Sequence, residues 1–187
     1  DDLGRRDGSL LVGDVTRAHI EEPDLWLVFT PIKKARLDVL IEKAAELGAA
    51  RLVPVLSEHT SVRDINGARA QALVIEAAEQ CGRMTVPEVA PIASLSAVLD
   101  AWPAGRRLMF CDESGAGAPM ATALAAEAPG SWAVLIGPEG GFSPAERAAI
   151  VARPFAIPVA LGPRVLRADT AAIAALTMLQ AHLGDWR

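Results

Sequence analysis

Cysteine is scarce in this 187-residue chain: Cys81 and Cys111 stand alone, with no C-x-x-C pair to hold zinc or found a disulfide framework. That usage suits a reducing compartment, and a cytoplasmic protein is the expectation. No apolar run approaches membrane-spanning length. Nothing at the start of the sequence resembles a signal peptide: Asp1 and Asp2 precede Arg5 and Arg6, the wrong order, and no apolar core follows. His19, His59 and His182 are scattered without ligand spacing, so no metal is expected and each reads as structural or exposed. No G-x-G-x-x-G or G-x-x-x-x-G-K-[ST] is present, which leaves a dinucleotide or P-loop site of the usual kind unsupported. Ser114 and Ser143 lack a G-x-S-x-G setting and an ordered histidine, which counts against a hydrolase triad. Internal repeats and low-complexity tracts are also missing.

What remains is a chain of 51% apolar and 22% charged residues with mean hydropathy +0.27, enough for one domain with a real core and room for an appendage. The net charge of −5 counts against a nucleic-acid partner, although a local basic face can coexist with acid elsewhere. Residues 1–22 read as an acid-rich leader with one strand-like piece at 9–15, and Pro23 marks the junction to a domain over 23–187. Strands are expected at 25–29, 52–56, 107–111, 132–136 and 155–161, with a short extended piece at 86–90. Pro54 hints at an edge or a bulge. Helical spacing covers 33–47, with Leu37, Leu40, Ile41, Ala44 and Leu47 on one side and Gly48 as the stop. A second helix enters at Asn66 and turns Ala70, Val74, Ala77, Ala78 and Cys81 inward. Glu76, Gln80 and Arg83 on it read as an exposed polar stripe or a partner edge. Shorter helices are expected at 94–102 and 119–127, and Asp169 and Thr170 should cap a long apolar helix over 171–183. Strand and helix alternate throughout, which implies an α/β fold with a mostly parallel sheet and helices on both faces.

Chemistry in such a sheet gathers outside the carboxyl ends of the strands. Three strands end in ligand-friendly loops, at 111–115, 137–142 and 161–167. The segment IGPEGGFSPAE at 136–146 joins a bare glycine turn to a helix start with Ser143 as N-cap, Pro144 at the first helical position and Glu146 closing a capping box. Taken alone it is more often a quiet turn than a binding site. The later loop carries Arg164 and Arg167, either surface arginines or a grip on an anion.

The pair IGPEGGFSPAE and LGPRVLRADTAAIAAL (161–176) resembles the SPOUT-class RNA methyltransferases, and within them the branch that modifies uridine N3 of small-subunit (16S) ribosomal RNA. IEKAAELG at 41–48, VPVLSEHTSV at 53–62 and EAAEQCGR at 76–83 followed by VPEV carry the same likeness, over about residues 23–183. The resemblance implies a C-terminal trefoil knot, a homodimer with the site at its interface, and S-adenosylmethionine as cofactor. By position, the cofactor would lie against Phe110, Asp112 and Glu113, then Ile136, Gly137, Pro138, Gly140 and Gly141, then Leu161, Gly162, Val165, Leu166 and Thr170. The partner implied is 16S rRNA or the small ribosomal subunit. Arg164 and Arg167 would stabilise an anionic uracil, with Glu139 the nearest candidate base. Two departures stand out. Only a remnant of an N-terminal β-barrel RNA-binding domain precedes Pro23, and the loop after Arg167 reads Ala-Asp-Thr where such enzymes more often have Thr-Glu-Thr. Alternatives are ribose 2′-O methylation on the same fold and a non-catalytic dimeric RNA- or ribosome-binding protein.

Overall fold

The computed structural model describes residues 2–3, 8–9 and 11–186. Two short strands, β1 (Asp2–Leu3) and β2 (Gly8–Ser9), pair antiparallel in a small sheet of their own. Of the strand expected over 9–15, Ser9 lies in β2, Leu10 lies outside the described residues, and 11–15 have no regular structure, with Leu11, Val12 and Val15 exposed. Apolar composition alone makes no strand where no neighbour supplies a ladder and a covered face.

The main domain runs β3 (Leu25–Phe29), α1 (Lys34–Glu46), β4 (Arg51–Leu56), α2 (Gly67–Cys81), β5 (Glu88–Val89), β6 (Ala93–Ser94), α3 (Leu95–Asp100), β7 (Arg107–Cys111), β8 (Ala118–Pro119), α4 (Met120–Ala125), β9 (Trp132–Ile136), α5 (Pro144–Val151), β10 (Ala156–Ala160) and α6 (Ala168–Leu183). The strands lie in the order β5-β4-β3-β9-β7-β10-β8, with β6 also on β4, and every pairing is parallel. WAVLI in β9 is buried along its whole length, as a central parallel strand covered on both faces must be. One face, through Leu27, Phe29, Val134 and Ile136, packs on α1, α2, α4 and α6. The other, through Val28, Leu108, Phe110, Ala133 and Leu135, packs on α3 and α5. Pro54 sits, as expected, at an irregularity: the outer ladder of β4 breaks beside it, with one extra residue between β5 and β6. It pairs with Phe29 on one side, while on the other β5 stops opposite Leu52 and β6 starts opposite Val55, so no partner needs the N–H that proline lacks.

Helix boundaries follow their caps. The Asn66 side chain accepts from the Arg69 N–H at 3.0 Å and starts α2, whose Ala70, Val74, Ala77 and Ala78 are buried. Cys81, expected to face inward, is exposed in the last turn of α2. The long C-terminal helix begins earlier than expected, at Ala168, with Arg167 in the cap position and no side-chain cap bond. Asp169 is drawn instead into an ion pair with Arg36 at 2.9 Å, which ties the first turn of α6 to α1. Gln180, buried in α6, donates from Nε2 to the Leu47 carbonyl at 2.9 Å and fastens the far ends of the same two helices.

At the amino ends of the strands, two arginines are buried as clamps. Arg106 donates to the Asp24 carbonyl at 3.1 Å, the Trp132 carbonyl at 3.0 Å and the Asp24 carboxylate at 2.5 Å. Its guanidinium lies 3.8 Å from the centre of the Trp26 ring. Burial pushes the Asp24 carboxyl up, but hydrogen bonds from Arg106 and Ser131 outweigh it and hold its pKa below the ordinary value. Arg83 is no part of an exposed stripe: its side chain is buried, donating to the Ala45 carbonyl at 2.6 Å, the Ala49 carbonyl at 3.0 Å and Glu22.

Candidate functional site

Parallel pairing brings the carboxyl ends of β7, β9 and β10, at Cys111, Ile136 and Ala160, to one end of the sheet. The loops that follow them and the first turns of α6 surround a cavity of about 740 Å³. That size is in the range of small-molecule sites. From the first loop, Asp112 and Glu113 line it; from the second, Ile136, Gly137, Pro138, Glu139 and Gly141. The third contributes Leu161, Gly162, Arg164, Val165, Leu166 and Arg167.

Three of the expected residues lie outside that lining. Phe110 is fully buried on the opposite face of the sheet, edge-on to Phe142 with ring centres 5.5 Å apart, so it supports the floor from below. Gly140 turns toward His59, and Thr170 is exposed on α6. Conversely, Cys111, Ser114, Gly115, Ala160, Ala168 and Ala171 complete the wall.

The glycine loop is held from several directions. Its own helix cap is reciprocal: the Glu146 N–H donates to Ser143 Oγ at 3.3 Å and the Ser143 N–H to Glu146 Oε2 at 3.1 Å. The second oxygen of Glu146 accepts the Glu58 N–H at 2.7 Å, joining the loop after β4 to the cap. Next to it, His59 Nδ1 lies 3.0 Å from the Gly141 carbonyl; a carbonyl only accepts, so Nδ1 carries the proton. Across the cavity, Glu113 Oε1 accepts the Phe142 N–H at 3.2 Å. Glycine is required at two points here. A Cβ on Gly137 would stand 2.7 Å from the Phe142 ring, and Gly141 has φ of +70° with Glu113 2.3 Å from where its Cβ would be.

The first loop is anchored by an ion pair that sequence reading missed. Arg147, one turn into α5, donates to Asp112 Oδ2 at 2.6 and 2.9 Å, and the Ser114 N–H donates to Oδ1 at 3.0 Å. Burial pushes the Asp112 carboxyl up; the hydrogen bonds from Arg147 and Ser114 more than reverse that, and its pKa is net lowered. A cation in the first turn of a helix runs against the macrodipole, and that cost was the available signal that Arg147 has a carboxylate partner. Glu58 and His59 offered no such signal, since their partners are 88 and 82 residues away.

Chemically, the cavity offers backbone and apolar walls, three carboxylates and two arginines at the rim. Glu139 and Arg167 face each other at 3.9 Å, both more than half exposed, so neither is committed to a fixed partner. Burial pushes the Cys111 thiol up to about 12, which keeps it protonated and unsuited as a nucleophile. Among the described residues no group of His, Cys, Asp and Glu is arranged to hold a metal ion. Such a site suits transfer between two bound molecules better than covalent catalysis by the protein.

The RNA methyltransferase domain family matches residues 20–180 of this chain. Ribosomal RNA small subunit methyltransferase E of Buchnera aphidicola (subspecies Schizaphis graminum) is 33% identical over 163 residues, which cover 82% of this chain. The chain spans 63% of that relative's length. The crystal structure of a ribosomal RNA small subunit methyltransferase E from Neisseria gonorrhoeae bound to S-adenosylmethionine superposes with a TM-score of 0.76 at 33% identity, covering 88% of this chain and 68% of that one. An RNA 2′-O ribose methyltransferase superposes with a TM-score of 0.58 at 17% identity, covering 90% and 60% respectively, and shares the fold alone.

Proposed function

The chain belongs to the family of RNA methyltransferase domains, and from that premise we propose that it methylates N3 of a uridine in small-subunit (16S) ribosomal RNA, with S-adenosylmethionine as donor. The observation that carries this reading is the three-loop cavity at the carboxyl end of the parallel sheet. Relatives named for small-subunit ribosomal RNA methylation support the substrate class, and a similar structure solved with S-adenosylmethionine supports the donor. The residues present fit that donor: Ile136, Leu161 and Leu166 give apolar walls for a purine, and Glu113 and Glu139 oppose the positive charge of a sulfonium and an amino group. When bound, S-adenosylmethionine supplies an electrophilic methyl on sulfur.

N3 of uridine carries a proton at neutral pH, so transfer to it requires a base and a site that tolerates the anion. Glu139 is the base in this scheme, receiving the N3 proton on a carboxylate oxygen at the cavity rim. Arg167, and Arg164 beside it, oppose the negative charge that the uracil gains. Leu161 and Leu166 screen the reacting atoms from water. A homodimer with the site at its interface completes the reading, supported by Val165, which is 85% exposed at the rim and open to a second copy. We further propose a trefoil knot formed by the last segment and a cytoplasmic location; among the described residues no helix is long and apolar enough to cross a membrane.

Nucleoside mass spectrometry after incubation with unmodified small ribosomal subunits and S-adenosylmethionine tests the reading. N3-methyluridine is the expected product. A 2′-O-methylated nucleoside would replace it with the ribose reaction, and calorimetry without S-adenosylmethionine binding at millimolar concentration would leave a binding protein.

A further inference from the structure

Although the chain carries a net charge of −5, its uncommitted positive charge is not scattered. Most described cations are neutralised: Arg36, Lys43, Arg51, Arg69, Arg83, Arg106, Arg107, Arg147 and Arg153 each sit in an ion pair of 3.1 Å or less. Arg17 bonds the Gly82 carbonyl. Among the described residues, Lys33, Lys34, Arg63 and Arg164 are exposed and have neither an ion pair nor a hydrogen bond. All four follow the carboxyl end of a parallel strand: Lys33 and Lys34 follow β3, Arg63 follows β4 and Arg164 follows β10. Loosely held Arg167 lies in the same loop as Arg164.

Folding does not explain this placement. Lys33 occupies the N-cap of α1 with no cap bond, and no acidic residue stands in the first turn, where a carboxylate would be favoured over a cation. The nearest acid on that helix, Asp38, is hydrogen-bonded to Arg69 at 2.6 Å, and Lys34 adds only a smaller through-space attraction to it. Lys33 and Lys34 follow β3 and Arg164 and Arg167 follow β10, strands that lie three spacings, or roughly 14 Å, apart in the sheet with β9 and β7 between them.

We propose that this end of the sheet is a docking face for the sugar–phosphate backbone of single-stranded RNA, gripped by Lys33 and Lys34 on the β3 side and by Arg164 and Arg167 on the β10 side. The inference rests on the reading of the cavity as an RNA methyltransferase site. A base delivered into the cavity must be unpaired, and its flanking phosphates then fall on the two rims. Arg63 contributes less, because Glu58 and Asp64 share its loop.

The test is binding of a fluorescein-labelled oligouridylate, followed by anisotropy over a series of salt concentrations. Each lost phosphate contact on a single strand should reduce the slope of log K against log salt by ~0.7. The double variant Lys33→Ala/Lys34→Ala should therefore lower the slope by about 1.4 and weaken binding roughly tenfold at moderate salt. Its S-adenosylmethionine affinity by calorimetry should stay unchanged, which shows that the fold is intact. The double arginine replacement should keep the slope, and Lys43→Ala, which removes a lysine already paired with Glu46, should leave it untouched. An unaltered slope in the double alanine variant, an equal fall in Lys43→Ala, or no salt-dependent binding by the unsubstituted chain overturns the proposal. Product identity is read separately: a fall in slope in a chain that yields no methylated nucleoside upholds the docking face and removes the methyltransferase reading instead.

Discussion

The two ends of the sheet treat arginine in opposite ways. At the amino end, Arg106 and Arg83 have side chains only 6% and 8% exposed, and each donates to several carbonyls and a carboxylate. At the carboxyl end, Arg164 has no ion pair or hydrogen bond among the described residues, and Arg167 is 66% exposed beside a Glu139 that is 53% exposed. The first pair is spent on holding strand starts together; the second is left to meet something else. Fixed charges without internal partners cost little while solvated, but they contribute nothing to the fold. Their value must then lie in what approaches them.

That contrast can be broken by substitution. Glu139→Gln should lower kcat roughly 10²- to 10³-fold, with S-adenosylmethionine affinity unchanged by calorimetry. Full activity would remove Glu139 from the mechanism. Arg106→Ala should cost about 3 kcal/mol in denaturant unfolding, because two buried carbonyls lose their donor and Trp26 its neighbour. Arg167→Ala should do the reverse, lowering kcat/KM about 100-fold while the thermal midpoint stays in place. If Arg167→Ala unfolds the protein and Arg106→Ala leaves it stable, the two ends have been assigned the wrong way round.

A smaller effect tests the border between the two behaviours. Asp112 lies at the functional end yet is tied as firmly as any amino-end clamp, and Asp112→Asn should cost about 2 kcal/mol. Its pKa is held below that of a free aspartate, so its stabilising contribution is full above the free value and is lost as pH falls through the folded one. The variant's stability curve should therefore lose that part of its acid slope, in urea titrations between about pH 5 and pH 2. Least of all should come from Arg153→Ala, whose pair with Asp100 is solvated at both members; a loss below about 0.5 kcal/mol is expected.

Features set by neighbours in sequence were legible before any coordinates. The capping box at Ser143 and Glu146 appears as read, because a cap involves only four consecutive positions. Strand ends and the glycine turn came from the same local chemistry, and they placed most of the cavity wall. What was not legible depends on distant partners. Arg106 and Arg167 look alike in sequence, and distant partners such as Asp24, 82 residues from Arg106, separate a clamp from a loosely held cation. Asp169 reads as a helix cap until Arg36, 133 residues earlier, claims it. His59 reads as an idle surface histidine until the fold sets it against Gly141.

The carboxylate of Glu146 has one further consequence. Because one oxygen closes the cap of α5 and the other holds the Glu58 amide, the glycine loop and the loop after β4 form a single mechanical body. Whatever opens the cavity for entry or release must carry residues 57–60 along with residues 137–142. In hydrogen exchange, the amides of Glu58 and Ser143 should open together, at one shared rate, as two readings of the same gate.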